Sequence, residues 1–356
     1  MNEVGHEGDG PPPVATQTRR RKIFGIVFIA LRWTLVLVAV WYFARILGRV
    51  DWPRVWDELR ELSPLQIGAL LVFIAVRQSL NAFPVALFLP QLGERRAVAG
   101  DLSASLVAFV APSPTDAVLR ATMLNSWGIR ASDALSAITL NSMTYYVARF
   151  TAPVLGLIVA VTAGIATSGY AYTALSSGIV SVFLIALLVL AARGEKPAGA
   201  AAFALATYVS RFFSSIKPSR WREWTEKFVQ TVGATTRTKG IPAVVTSLGL
   251  VLAEATLLLL SMRFAGVPSS AASAVAIYVA LLISYPLTAL PFAAIGVLDA
   301  ALISLLALNG GPYEAQAVAG MIICRVCWQL VPLMFGGMTL SAWRLGQAKK
   351  SASSQA

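Results

Sequence analysis

The sequence predicts an all-α polytopic membrane protein with about seven to eight transmembrane helices and two re-entrant, broken helical segments related as internal repeats. Three observations carry that prediction. Of 356 residues, 57% are hydrophobic and only 13% charged, against about 45–50% and roughly 25% in soluble domains. The apolar residues stand in long blocks rather than at amphipathic spacing. Two of the blocks are too short to cross, one running into Pro112 and the other starting at Pro291. This pattern excludes a cytosolic enzyme, a disordered chain and a disulfide scaffold, and a β-barrel would show alternating segments of about 10 residues.

Residues 1–22 read as a disordered cytoplasmic tail that closes on Arg19, Arg20, Arg21 and Lys22. Basic residues flanking a first span hold that end inside. Span one is 23–47, with Arg32 and Arg45 near its ends, where long basic side chains snorkel. Residues 51–62 form an amphipathic helix with Asp51 as N-cap, Pro53 in the first turn and Trp52 and Trp56 on its apolar face. A second span covers about 64–89.

The first broken piece follows. Residues 97–111 are too short for an apolar core that needs about 20 residues, and they run through Pro112 and Pro114 into a second short segment. Irregular backbone at membrane depth must be buried in protein or line a cavity. Spans at 132–163 and 170–192 come next. Residues 193–240 hold nine Lys/Arg and three acidic residues, so this loop is expected on the cytoplasmic side. Its apolar stripes, Leu205–Ile216 and Trp221–Val232, read as two basic amphipathic helices on the inner leaflet, or as helices packed on the protein itself.

Further spans are expected at 242–264 and 271–290. A second broken piece, 290–310, opens at Pro291. A last span covers 313–342, and residues 346–356 form a polar tail. The membrane domain as a whole is 23–345. The two broken pieces share a layout: proline, short helix, glycine, then an acidic residue (Asp133 or Glu314) starting a long helix. That helix carries Pro153 with Gly156 in one copy and Pro332 with Gly336 in the other.

The residues available for chemistry are few. The single histidine, His6, lies in the tail, so the membrane body has none for zinc, a triad or a proton relay. Cys324 and Cys327 form a CxxC inside an apolar helix and read as buried packing residues. No cofactor or metal is expected. The formal net charge of +12 fits inside-positive loops and anionic headgroups rather than nucleic acid.

Ionisable residues inside the apolar blocks are the candidate substrate-binding set: Arg77, Arg120, Arg149, Glu254, Asp299 and Arg325. A charge at the bilayer centre costs about 2.5–3.5 kcal/mol on insertion scales, so each needs a partner or water. Gln78 and Asn81 flank Arg77, and Asn141, Tyr145 and Arg149 share one helix face. Arginine suits a lipid phosphate because its planar fork is bidentate and always charged. The alternative is structural ion pairs, for example Glu254 with Arg325.

The layout resembles the transmembrane, flippase-like domain of the lysylphosphatidylglycerol synthase family. The first family pattern is similar to Pro112, Ala117-Val118-Leu119-Arg120, Gly128-Ile129 and Ala134. The second is similar to Leu290-Pro291, Gly296-Val297, Asp299, Arg325, Pro332 and Gly336. Asp116 stands where the family has glycine, Asp299 replaces a glutamate, and Asn141-Ser142 occupy the place of an early-helix arginine. Fused members carry a soluble aminoacyl-transferase domain. This chain ends shortly after its last span, so the resemblance implies a stand-alone, non-enzymatic translocase of a lipid or lipid-linked precursor in the cell membrane. The implied partners are an anionic phospholipid or polyprenyl-linked lipid, with a second copy of the chain or an envelope-synthesis protein. Two alternatives stay open: a non-catalytic partner of envelope-lipid synthesis, and a polyprenyl-phosphate-dependent transferase.

Overall fold

A computed structural model describes residues 60–110, 115–211, 217–290, 295–308 and 310–353, with Pro53 and Asp57. The expected span at 23–47 and most of the 51–62 helix lie outside the described residues, as do His6, Pro112, Phe212, Ile216 and Pro291. All regular structure among the described residues is helical.

Helix α1 is Pro64–Phe88. Ser63 caps it reciprocally: its hydroxyl accepts from Gln66 N at 3.3 Å, and Gln66 Oε1 accepts from Ser63 N at 2.8 Å. Proline at the first helical position loses no hydrogen bond there. The helix stops before Pro90, which disfavours helical backbone at Leu89. Helices α2 (Glu94–Val110) and α3 (Thr115–Ser126) then pack together as a hairpin. Helices α4 (Ala131–Thr162) and α5 (Ser168–Arg193) form an antiparallel pair. Asp133 sits in the first turn of α4, as its position after Gly128 predicts. On α5, Leu175, Ile179, Val182 and Phe183 are exposed and make an outward apolar face.

The central loop departs from expectation. Helix α6 (Glu195–Ser210) is separate, but α7 runs unbroken over Pro218–Phe264, 47 residues. The expected boundary near 240 does not exist. Pro242 removes one intrahelical donor, yet its fixed φ is compatible with a helix, and α7 packs against α1, α4, α5, α6, α8 and α10. At 1.5 Å per residue α7 is roughly 70 Å long, well beyond the ~30 Å hydrocarbon core. The second amphipathic stripe is thus its extension. Trp221 and Trp224 stay exposed, while Val232 is buried and Phe228 packs on the bundle. Helix α6 lies along it, with Glu226 over Gly199.

The expected span at 271–290 is also shorter. Helix α8 covers Ala274–Ser284 and passes into a 3-10 turn, Tyr285–Ala289. Pro286 lacks the donor for a continued α-helix and restricts Tyr285 before it. With α9 (Val297–Leu305), α8 makes a second hairpin. Helix α10 (Glu314–Arg325) continues through a π-helical turn, Val326–Leu330, into α11 (Val331–Ser353). Five helical stretches among the described residues are long and apolar enough to cross a membrane: 64–88, 131–162, 168–193, 218–264 and 314–348.

Two large apolar cores result, with two small clusters beside them. One lies with α8, α9 and α10 around Met262, Ile277, Leu281 and Leu298; the other lies with α2, α3 and α4 around Leu92, Leu124 and Leu140. Helices α1, α4 and α7 contribute to both. Two glycines fix how the hairpins dock. A Cβ on Gly156 of α4 would lie 2.9 Å from Leu282 Cβ of α8, and one on Gly336 of α11 would meet the Leu102 carbonyl of α2. Small residues let membrane helices approach this closely. Ser103 and Thr339 hydroxyls (2.9 Å) and the Trp343 indole donating to Ser126 Oγ (2.9 Å) extend the second contact.

Candidate functional site

The candidate residues separate into three neutralised ion pairs and one arginine with no counter-charge. In the centre, Arg77 Nε of α1 donates to Glu254 Oε1 of α7 at 2.9 Å, and Nη2 lies 2.8 Å from the same oxygen as an ion pair. Glu254 is fully buried, and the Tyr285 hydroxyl donates to its other oxygen at 2.6 Å. Both carboxylate oxygens are therefore satisfied, as burial of a charge demands.

In the second hairpin, Arg325 Nε donates to Asp299 Oδ1 at 2.9 Å. Asp299 Oδ2 also accepts from Gly296 N at 2.8 Å. The carboxylate thus sits at the N-terminus of α9, where backbone donors favour negative charge. Gly296 has φ +81°, which a side chain would strain. The Trp328 ring lies 5.6 Å from Arg325 Cζ and 5.7 Å from Arg77 Cζ, so one ring serves two cations. The π-helical turn carries this tryptophan. The suggested Glu254–Arg325 pair is not formed: Glu254 takes Arg77 and Arg325 takes Asp299. Capping of α9 holds Asp299 beside Arg325, and Tyr285 holds Glu254 toward α1.

In the first hairpin, Arg120 of α3 pairs with Asp101 of α2. Asp101 is 4% exposed and also accepts from Gln78 Nε2 at 2.7 Å and Asn81 Nδ2 at 2.5 Å. Sequence reasoning missed Asp101. Its signal was present: an acid inside the short apolar arm AVAGDLSASLVAFVA. The polar face of Gln78 and Asn81 was legible, but its partner was not. Cys324 and Cys327 are free and buried.

Arg149 is different. It is 7% exposed, and among the described residues no carboxylate pairs with it. Its Nε is buried without a hydrogen-bond partner. Its Cζ lies 4.6 Å from the Tyr145 ring and 5.2 Å from the Tyr146 ring. Those residues sit four and three positions earlier on α4, where a helical side chain points. Desolvated cation–π contacts are worth about 2 kcal/mol, but they fill none of the guanidinium's five donors. Arg149, Tyr145 and Asn141 line one pocket of about 160 Å³ with Asn81 of α1 and Ser247 of α7. The shared face expected for Asn141, Tyr145 and Arg149 is therefore the wall of a cavity.

Long apolar helices, two helical hairpins and buried, paired charges define an integral membrane domain organised around a polar interior. The chain belongs to the family described as the lysylphosphatidylglycerol synthase TM region, whose model matches residues 23–336. No curated protein and no solved structure matches it significantly.

Proposed function

We propose that the protein is a lipid or lipid-linked-precursor translocase of the cell membrane, which holds an anionic headgroup in a polar intramembrane cavity and leaves its covalent structure unchanged. The observation that carries this reading is the cross-docking of the hairpins. The α8–α9 hairpin meets α4 at Gly156, and the α2–α3 hairpin meets α11 at Gly336. In this reading the hairpins are internal repeats, each seated on the long helix that follows the other. Paired interrupted segments around a mid-membrane polar region are a transporter architecture, and rocking of one repeat against the other gives alternating access.

The ion pairs Arg77–Glu254, Arg120–Asp101 and Arg325–Asp299 belong to the polar interior, and Arg149 supplies the uncompensated charge of the cavity. The cargo is an anionic phospholipid or polyprenyl-linked lipid. Seven to eight segments cross the bilayer, with the N-terminus and residues 193–240 in the cytoplasm. The basic loop and the exposed Trp221 and Trp224 support that orientation.

Translocation is tested with purified protein in liposomes that contain a headgroup-labelled fluorescent phosphatidylglycerol. A membrane-impermeant reductant bleaches only the outer leaflet. The protein should expose the inner-leaflet pool to bleaching within minutes, while protein-free vesicles protect it. Equal protection in both would overturn the translocase reading.

A further inference from the structure

We propose that the Arg149 pocket is an oxyanion site that takes a single phosphate group, presented by a lipid headgroup entering sideways between α1 and α4. The proposal deepens the translocase reading and rests on it for the source of the anion.

The first ground is electrostatic contrast within one molecule. Arg77, Arg120 and Arg325 each have a carboxylate partner, and Arg263 donates to the Val267 and Ala272 carbonyls at 2.7 and 2.5 Å. Arg149 is as buried as these arginines, yet neither an acid nor a carbonyl receives it among the described residues. A buried guanidinium needs an anion or water to fill its donors.

The second ground is the pocket itself. None of its lining residues is acidic, and Asn81, Asn141 and Ser142 add amide and hydroxyl groups beside the cation. Asp101, which the lining residue Asn81 contacts, is already engaged by Arg120, Gln78 and Asn81, and Glu254 is engaged by Arg77 and Tyr285. Both carboxylates are thus neutralised by their own partners. The volume of about 160 Å³ far exceeds the ~10–15 Å³ that admits one water, so a tetrahedral oxyanion fits with room for its ester oxygen.

The third ground is access. Ser142 and Tyr146 are exposed at the rim, and Tyr146 is 43% exposed. Phe83 of α1 and Leu135 of α4 are exposed apolar residues on two of the three helices that line it. Acyl chains can therefore stay in the bilayer while a headgroup reaches Arg149. The guanidinium fork meets two phosphate oxygens at once, and the two tyrosine rings hold it in place.

The full chain, purified in detergent, is titrated with short-chain phosphatidylglycerol, with inorganic phosphate and with phosphate-free short-chain diacylglycerol. Binding is read from intrinsic fluorescence and from the shift in thermal midpoint. Phosphatidylglycerol should bind at least tenfold more tightly than either other probe. Arg149→Gln should weaken it at least tenfold, with partial recovery in Arg149→Lys. The ligand-free midpoint of Arg149→Gln should be unchanged or higher, because the variant removes an uncompensated cation. Ser142→Trp, at an exposed rim position, should block binding without touching the cation. Unchanged lipid affinity in Arg149→Gln and Ser142→Trp would overturn the site. Phosphate binding as tightly as the lipid would overturn the lipid as its source. Lipid binding at Arg149 in a protein that does not translocate would refute the translocase and leave the site; translocation with unchanged binding in Arg149→Gln would do the reverse.

Discussion

Arg77 and Glu254 are 177 residues apart in sequence and meet through an Nε hydrogen bond and an Nη2 ion-pair contact on one oxygen, while Tyr285 holds the other oxygen at 2.6 Å. The pair joins α1 to α7 at a point where Glu254 has no exposed surface. Breaking such a pair leaves one charge buried alone, which costs about 3–5 kcal/mol, whereas removing both charges is often neutral. Arg77→Met and Glu254→Met should each lower the thermal midpoint strongly. The double variant should recover most of the loss. A double-mutant cycle in detergent measures the coupling, and additive losses would show that the pair contributes nothing as a pair.

Gly156 and Gly336 should not tolerate a methyl group. At Gly156 the added Cβ lies 2.9 Å from Leu282 Cβ, and at Gly336 it collides with the Leu102 carbonyl, a backbone atom that cannot swing aside. Overpacking of this kind costs about 1–3 kcal/mol. Gly336→Ala should be the more damaging, and both should slow lipid translocation by shifting a hairpin on its seat. Gly68 of α1 has nothing within 4 Å of its added Cβ. Gly68→Ala should therefore be neutral or stabilising in the same melting assay.

Ala307 ends α9 with φ +53°, in the left-handed region. Its neighbours close the helix through Leu308 N to Ile303 O at 3.0 Å and Ala307 N to Ser304 O at 3.0 Å. A side chain pays roughly 1–2 kcal/mol for that conformation, part of which glycine returns as unfolded-state entropy. Ala307→Gly should raise the thermal midpoint, with a gain on the order of 1 kcal/mol or less. A lower midpoint would show that the turn is not held in this conformation.

The orientation of the central loop has a direct chemical test. Ser219 is exposed in the first turn of α7. With both native cysteines replaced by alanine, Ser219→Cys should resist an impermeant maleimide in intact cells and label after the membrane is opened. Labelling in intact cells would place residues 193–240 on the outside.

The sequence by itself determined the class and most of the architecture. Membrane spans are written in local composition, because twenty consecutive apolar residues have one favourable destination. The stop at Pro286 fell inside an expected span and was not read, but helix ends are written just as locally at Gly128 and Gly296, because those residues act on their own backbone. The family pattern was legible for the same reason, and so was the polar face formed by Asn141, Tyr145 and Arg149 on one helix. Partner choice was not legible. Asp101 joining Arg120, Glu254 taking Arg77 rather than Arg325, and Arg149 remaining without an acid depend on which helices become neighbours. Helix α7 running past Pro242 depends on it as well. Ion pairs and seams join residues far apart in the chain, and a charge in a sequence carries no record of the carboxylate that will face it. Only the packing of α1, α4 and α7 between the two hairpins decided which cations were neutralised and which was left facing a pocket.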